Sequence, residues 1–479
     1  MTLVTACATA QKGPQTAPTI SYPNVVESVA PRFKPCEAET LRGLECASVR
    51  VPSDWNNKTV GHIDVAVAKL RASGERQGTL FVNPGGPGES AREFVKTARS
   101  VLSDQILKSF DIVGVDPRGV GGSAPLDCKI DYNTIFGLDP TPDTPQEEQA
   151  LLGADSAWAS ACARAATLPL SAYSSAQSAK DLEAVRKALG ETTFVYLGFS
   201  YGSDLGATYL SLFPTQKGRL VFDGAADPDA SNIEASLQQG AGFEASLNTF
   251  FGWCDNSPER CPIAPRAATT FDQIIERLDM NPAAGDSSNV KVGQGVALLA
   301  VATGLYNQDF WPTLATALND AGDGYGNGLL ALYYKYLGRN SDGTFHRTQD
   351  AFRAINMADT AELTLSDQQQ LLKEAKLSLK RFWPLFSVAV PHSDPWPDFA
   401  RENRPAIQKA SVASVVVLAA TGDPATPLEA TRRMAEALGA QLLIREGNGH
   451  TSYILSQCVR DLVDPFLLDA KMPETTKKC

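Results

Sequence analysis

Ser200 stands in Gly198-Phe-Ser-Tyr-Gly202, a match to G-x-S-x-G. Five residues are a weak signal alone. Here a β-rich run, Thr193–Gly198, leads in and a helical run leads out, the context that a sharp strand-to-helix turn requires. Glycine flanks the turn for steric reasons, because neighbouring backbone comes so close that a β-carbon would clash. Such a turn lifts the Ser200 hydroxyl above a sheet; the plainer alternative is a serine in an ordinary turn. A serine hydroxyl is a poor nucleophile at neutral pH and needs a base. On this kind of scaffold the partners follow in the order Ser, then Asp or Glu, then His. Of the four histidines, His62 precedes Ser200 on an alternating strand, and His346 and His392 sit in polar segments of a helical insertion. His450 follows a strand through Gly447-Asn-Gly449 and alone has both the order and the address. Asp423, in Thr421-Gly-Asp-Pro-Ala-Thr-Pro427, directly follows another strand and would hold the imidazole tautomer and stabilise the imidazolium. Its alternative role is to cap a helix starting near Leu428. Asp116 and Asp223 also end strands, but both precede the insertion.

An acyl-transfer site also needs donors for a developing oxyanion. Asn83-Pro-Gly-Gly-Pro-Gly88 follows a strand and offers backbone N–H groups. Gly85 and Gly86 are candidates for one donor and Tyr201, after the nucleophile, for the other. A phosphate-binding loop is disfavoured, since G-x4-G-K-[ST] is missing and prolines remove donors.

These residues hang on short apolar runs ending in turns: Thr79–Asn83, Phe110–Asp116, Thr193–Gly198, Arg219–Asp223, Ser414–Ala420 and Gln441–Arg445. Near-continuous apolar strands belong in a parallel sheet covered on both faces. Helical spacing falls between them at Ala179–Leu189, Leu205–Leu212, Glu429–Leu438 and Ile454–Leu468, whereas Cys46–Trp55 and His62–Arg71 alternate like antiparallel entry strands. The class is α/β, with a mostly parallel central sheet. Between Asp229 and Pro405 the strand signature gives way to helices such as Thr269–Leu278, Gly295–Leu305 and Leu365–Phe382. The expected organisation is a signal remnant and linker over 1–35, a core over 36–228 and 406–479, and a mostly helical lid over 229–405. Residues 139–147 read as an exposed loop.

The chain has 479 residues, about three domains' worth of length or one large domain with an insertion. With 43 basic and 54 acidic residues its formal charge is −11, which disfavours nucleic acid as a partner. No apolar run of about 18 residues encodes a transmembrane helix. Eight cysteines besides Cys7 permit many pairings. Near-neighbour closure suggests Cys36–Cys46, Cys128–Cys162, Cys254–Cys261 and Cys458–Cys479; buried thiols of a reducing cytosol are the alternative. Cys254 and Cys261 flank turn-prone polar residues and Cys479 is terminal, which suits staples and hence an exported protein. Zinc is disfavoured, for no C-x2-C pair or nearby histidine accompanies them. Leu3-Val-Thr-Ala-Cys7 reads as the end of a bacterial lipoprotein signal, with Cys7 the lipid-bearing residue and membrane attachment its consequence; an ordinary cytoplasmic start, in which Cys7 has no role, is the alternative.

As an ordered set, Asn83–Gly88, Asp116-Pro-Arg-Gly119, Gly198–Gly202, Phe222-Asp-Gly224, Asp423–Pro427, Gly449-His450, Cys458 and Cys479 resemble the serine peptidase branch of the α/β-hydrolases that includes proline iminopeptidases. The likeness is strongest to tripeptidyl aminopeptidases and related exported proteases and carboxylesterases of actinobacteria. It implies an α/β-hydrolase fold and a triad of Ser200, Asp423 and His450, in agreement with the elimination above. Met357 and Ser393 stand where the resemblance would place cysteines, so a lid disulfide is expected to be missing. An aminopeptidase must bind a substrate ammonium, which calls for carboxylates near the nucleophile. Glu89 and Asp359 are the candidates, although ordinary structural or surface roles suit such residues as well. The expected activity is release of short peptides from substrate N-termini through an acyl-enzyme, by a monomer that needs no metal or organic cofactor. A carboxylesterase or lipid-ester hydrolase of the cell envelope is the alternative, and a non-catalytic envelope binding protein a third reading. Peptides or small esters are the expected partners.

Overall fold

The computed structural model describes residues 30–285, 290–360, 364–387, 405–474 and 479. Cys7, His392 and Ser393 lie outside them. Nine strands form one sheet: β1 (Lys34–Pro35), β2 (Glu45–Pro52), β3 (His62–Leu70), β4 (Gly78–Asn83), β5 (Phe110–Val115), β6 (Phe194–Phe199), β7 (Gly218–Asp223), β8 (Ser414–Gly422) and β9 (Gln441–Asn448). Their spatial order is β1-β2-β3-β5-β4-β6-β7-β8-β9. The entry strands pair antiparallel, with Val49 opposite Val65, and β5 joins β3 in the same sense. From β5 through β4 to β9 every pairing is parallel.

The strands read as continuous apolar runs because both faces are covered. In β4, Leu80 and Val82 pack with Val95 and Phe466 on one face, while Phe81 between them packs with Val185 and Leu205 on the other. Helices Ser175–Ala188, Tyr201–Leu212 and Leu428–Leu438 cover the second face, and Ala91–Val101 and Gln457–Asp469 the first. All four cysteine pairs are bridged as near-neighbour closure suggests. No helix among the described residues is long and apolar enough to cross a membrane.

A run of helices, the segment expected to form the lid, follows β7, beginning with Asn232–Asp255 and including Gln294–Leu305, Thr348–Asp359 and Leu365–Ser378. Residues 126–173, assigned by sequence to the core, contribute Leu126, Tyr132, Trp158, Cys162 and Tyr173 to the lid's apolar cluster with Phe250, Leu298 and Trp311. The lid therefore draws on two separate chain segments. Asp350 of the lid accepts the Cys128 N–H at 2.9 Å and the Trp158 indole N–H at 2.8 Å, and Arg353 pairs with Asp155 at 2.6 Å. The expected loop over 139–147 is also shorter, because Thr144 and Glu147 form a reciprocal capping box that starts helix Pro145–Ala165.

Candidate active site

Ser200 sits between β6 and helix Tyr201–Leu212 with φ +52° and ψ −126°, a conformation rare for any residue with a β-carbon. The glycines around it are sterically required. A Cβ on Gly198 would lie 2.4 Å from the Gly202 carbonyl oxygen, and one on Gly202 would lie 2.6 Å from that of Asn83. The Ser200 N–H donates to the Asp223 carbonyl at 2.8 Å, fixing the turn to β7.

The loop after β4 packs directly against this turn. A Cβ on Gly85, whose φ is +102°, would fall 2.6 Å from the Phe199 oxygen and 3.1 Å from the Tyr201 nitrogen. The Gly85 N–H already donates to Asn83 Oδ1 at 2.9 Å. Of the two glycines, Gly85 therefore has its amide already given to a side chain, while Tyr201 takes the first position of its helix. Asp116 anchors the loop's exit, accepting from the Ser90 hydroxyl at 2.8 Å and the N–H groups of Arg92 and Gly122. Arg118 is wholly buried and bidentate with Asp181, so the Asp116–Gly119 motif is scaffold.

On the far side, His450 Nδ1 lies 2.9 Å from both carboxylate oxygens of Asp423. Asp423 also accepts the N–H groups of Ala425, Thr426 and Thr451, which hold the carboxylate still. This pairing fixes the Nδ1–H tautomer and leaves Nε2, buried and without a hydrogen-bond partner among the described residues, as the acceptor. The lid contributes too, since the His450 N–H donates to the Tyr306 carbonyl at 2.9 Å and the two rings meet edge to face at 5.4 Å. Arg445 ties the histidine loop by donating to the carbonyls of Asn448, Gly449 and Thr451. Burial works to lower the His450 pKa, but the charges of Asp423, Asp223 and Glu89 outweigh it and raise the imidazole above its ordinary value.

A cavity of about 540 Å³ opens on Ser200 and is lined by Gly86, Tyr201, Asp204, Asp227, Arg353 and Asp359 among others. Met357 lines it as well. Asp359 accepts the Ser175 hydroxyl at 2.5 Å, and that hydroxyl also meets the Tyr201 phenol oxygen at 2.5 Å. Glu89 faces an adjoining recess of about 530 Å³, with Glu93, Lys335 and His346. It is accessible within that recess, yet the surrounding protein raises its acid, opposed by His450 and His346. His62 is exposed on β3, and His346 lies 3.9 Å from Glu93. Sequence reasoning set Asp223 aside because it precedes the insertion and gave no role to Arg445 or Tyr306. Only Asp223 left a signal, as a strand-end carboxylate.

Residues 78–457 match the family model described as the alpha/beta hydrolase fold. The serine protease Hip1 of Mycobacterium tuberculosis is 29% identical over 91% of this chain and 87% of that protein. Carboxylesterase B of the same species is 33% identical over 97% of this chain and 91% of its own length. A tripeptidyl aminopeptidase of Streptomyces coelicolor is 33% identical over 49% of this chain and 45% of that protein. The chain is an enzyme of the hydrolase class and belongs to the α/β-hydrolase fold family.

Proposed function

We propose that this serine hydrolase is an exported aminopeptidase that releases short peptides or single residues from substrate N-termini. Ser200 is the nucleophile, His450 Nε2 takes its proton, and Asp423 steadies the imidazolium that results. The N–H groups of Tyr201 and Gly86 receive the oxyanion. Attack on the scissile carbonyl gives an acyl-enzyme, and His450 returns its proton to the leaving amine. Water activated by the same imidazole then frees the acid.

The observation that carries the aminopeptidase reading is the charge of the cavity at Ser200. Asp204 and Asp359 line it, as does Asp227, which pairs with Arg433 at 3.2 Å, and the cavity's Arg353 is held by Asp155. Such a wall suits an acyl segment bearing a free ammonium. Of the two acids singled out by sequence, Asp359 shares the cavity with Ser200, whereas Glu89 faces the adjoining recess. The reading therefore gives the ammonium to Asp359 and Asp204, and gives Glu89 a share in holding charge on His450. Four disulfides support export, because such bonds persist in oxidising compartments. Lipidation of Cys7 belongs to the same proposal and is read by mass spectrometry of the native N-terminus.

The test compares tripeptidyl and aminoacyl anilides with their N-acetylated forms and with acyl esters. Free-amine substrates should be preferred, and Asp359→Asn should raise their KM about 10- to 100-fold, the worth of a charge-assisted hydrogen bond, while sparing simple esters. Equal turnover of acetylated substrates would remove the ammonium role. Ester turnover without amide cleavage would favour the esterase reading, which the likeness to Carboxylesterase B supports.

A further inference from the structure

Asp223 touches both halves of the site. It is fully buried at the end of β7, and its backbone carbonyl accepts the Ser200 N–H at 2.8 Å. Its side chain turns to the histidine loop. The Ser452 N–H donates to Oδ1 at 2.8 Å and to Oδ2 at 2.9 Å, and the Tyr453 N–H donates to Oδ2 at 2.7 Å. The next residue, Gly224, packs under the imidazole, where a Cβ would lie 3.1 Å from His450 Cε1. One residue thus bonds through its main chain to the turn bearing the serine, and through its carboxylate to the loop bearing the base.

We propose that Asp223 is a positioning residue that sets Ser200 and His450 in register and lends the imidazole a second negative charge. This rests on the reading of Ser200 and His450 as nucleophile and base. The charged and titratable groups around the carboxylate are His450, Asp423 at the end of β8 and Arg445 on β9. Of the two acids only Asp423 bonds to Nδ1, which the Thr426 hydroxyl also approaches at 3.4 Å, so the two acids divide the work: one orients the ring and the other holds the loop while acting on the ring's charge. Burial pushes the Asp223 acid up to about 6, against the pull of the Tyr453 and Ser452 amides, so the group is ionised at neutral pH. Loss of that charge lowers the His450 pKa, because Asp223 is among the charges that raise it. A carboxylate that only held the loop would lack this second effect.

Asp223→Asn tests both effects in the pH dependence of kcat and kcat/KM. An amide can still accept from one backbone N–H, but its NH2 then faces the other donor and pushes the loop. The expected result is kcat lower by about tenfold or more with KM little changed, as befits a loss confined to the transition state, and the acid limb of kcat/KM about half a pH unit or more lower. Asp223→Glu keeps the charge on a longer arm and should lose kcat with the limb unmoved. It stands as the test if the asparagine variant does not fold. A folded Asp223→Asn with wild-type kcat, or with reduced kcat and an unmoved limb, overturns the proposal, as does a fully active Asp223→Glu. Fluorophosphonate labelling of the wild type separates the two readings. No label at Ser200 sinks the nucleophile assignment itself, whereas a labelled wild type beside an unperturbed Asp223→Asn sinks the role of Asp223 alone.

Discussion

Replacing Asp423 by asparagine should cost far more activity than stability, and the contacts say why. The carboxylate accepts from Ala425, Thr426 and Thr451 N–H groups as well as from His450 Nδ1. An asparagine can turn its oxygen toward Ala425 and Thr426, which share Oδ1, and so keep the turn after β8. Its NH2 then lies where Oδ2 was, facing the Thr451 N–H and the imidazole. Nδ1 stands 2.9 Å from both positions, so this donor competes with the retained oxygen for it and favours the tautomer that carries its proton on Nε2, the atom that must accept from Ser200. Loss of the correct tautomer costs about four decades in kcat in the best-studied serine protease triad. At about 1.4 kcal/mol per decade that is about 5 kcal/mol of barrier. The thermodynamic loss should be nearer 1–3 kcal/mol, the cost of a buried donor left without its acceptor. Steady-state kinetics on a tripeptidyl anilide beside denaturant unfolding reads both quantities. Activity within tenfold of wild type would show that a group other than Asp423 orients His450.

The acid limb of kcat/KM should have its midpoint above 6.5, because the neighbouring carboxylates raise His450 and only its neutral form accepts a proton; activity falls as pH drops through that value. Glu89→Gln removes one of those charges and should move the limb to lower pH in a rate profile. Gly85→Ala forces a β-carbon to within 2.6 Å of the Phe199 oxygen, at a φ that side chains avoid. The resulting shift at the turn should cost about 100-fold in the rate of fluorophosphonate labelling. Replacing Cys128 and Cys162 together by serine opens a loop of sequence separation 34. It should cost up to about 4 kcal/mol in denaturant unfolding and loosen Trp158 and Arg353 on the cavity wall.

Most of what positions the chemistry was legible along the chain, because it depends on local pattern. The apolar runs of β4 to β9 need only burial on both faces, and Gly198 and Gly202 announce a turn that excludes β-carbons. His450 emerged by elimination among four residues, and the structure places its ring on Asp423. The lid's second segment was not legible. Trp158, Cys162 and Tyr173 are apolar residues that a core or a lid can use equally, and Phe250, Leu298 and Trp311 of the same cluster lie more than 70 positions away. Asp223 was visible as a strand end, yet its carboxylate meets amides 229 and 230 residues on, a pairing no local spacing encodes. The backbone contact between Tyr306 and His450 left no trace in side-chain type. Arg445 was hidden for a related reason, since a lone arginine in a strand says nothing of the three carbonyls it gathers.

The central claim is that the Ser200 hydroxyl, and no other, is activated by His450. Labelling the full chain with a fluorophosphonate probe and mapping the adduct by peptide mass spectrometry tests it most directly. One modified residue, Ser200, is expected, with no label after Ser200→Ala or in a folded His450→Ala variant. A label on another residue, or undiminished labelling of folded Ser200→Ala, would contradict it.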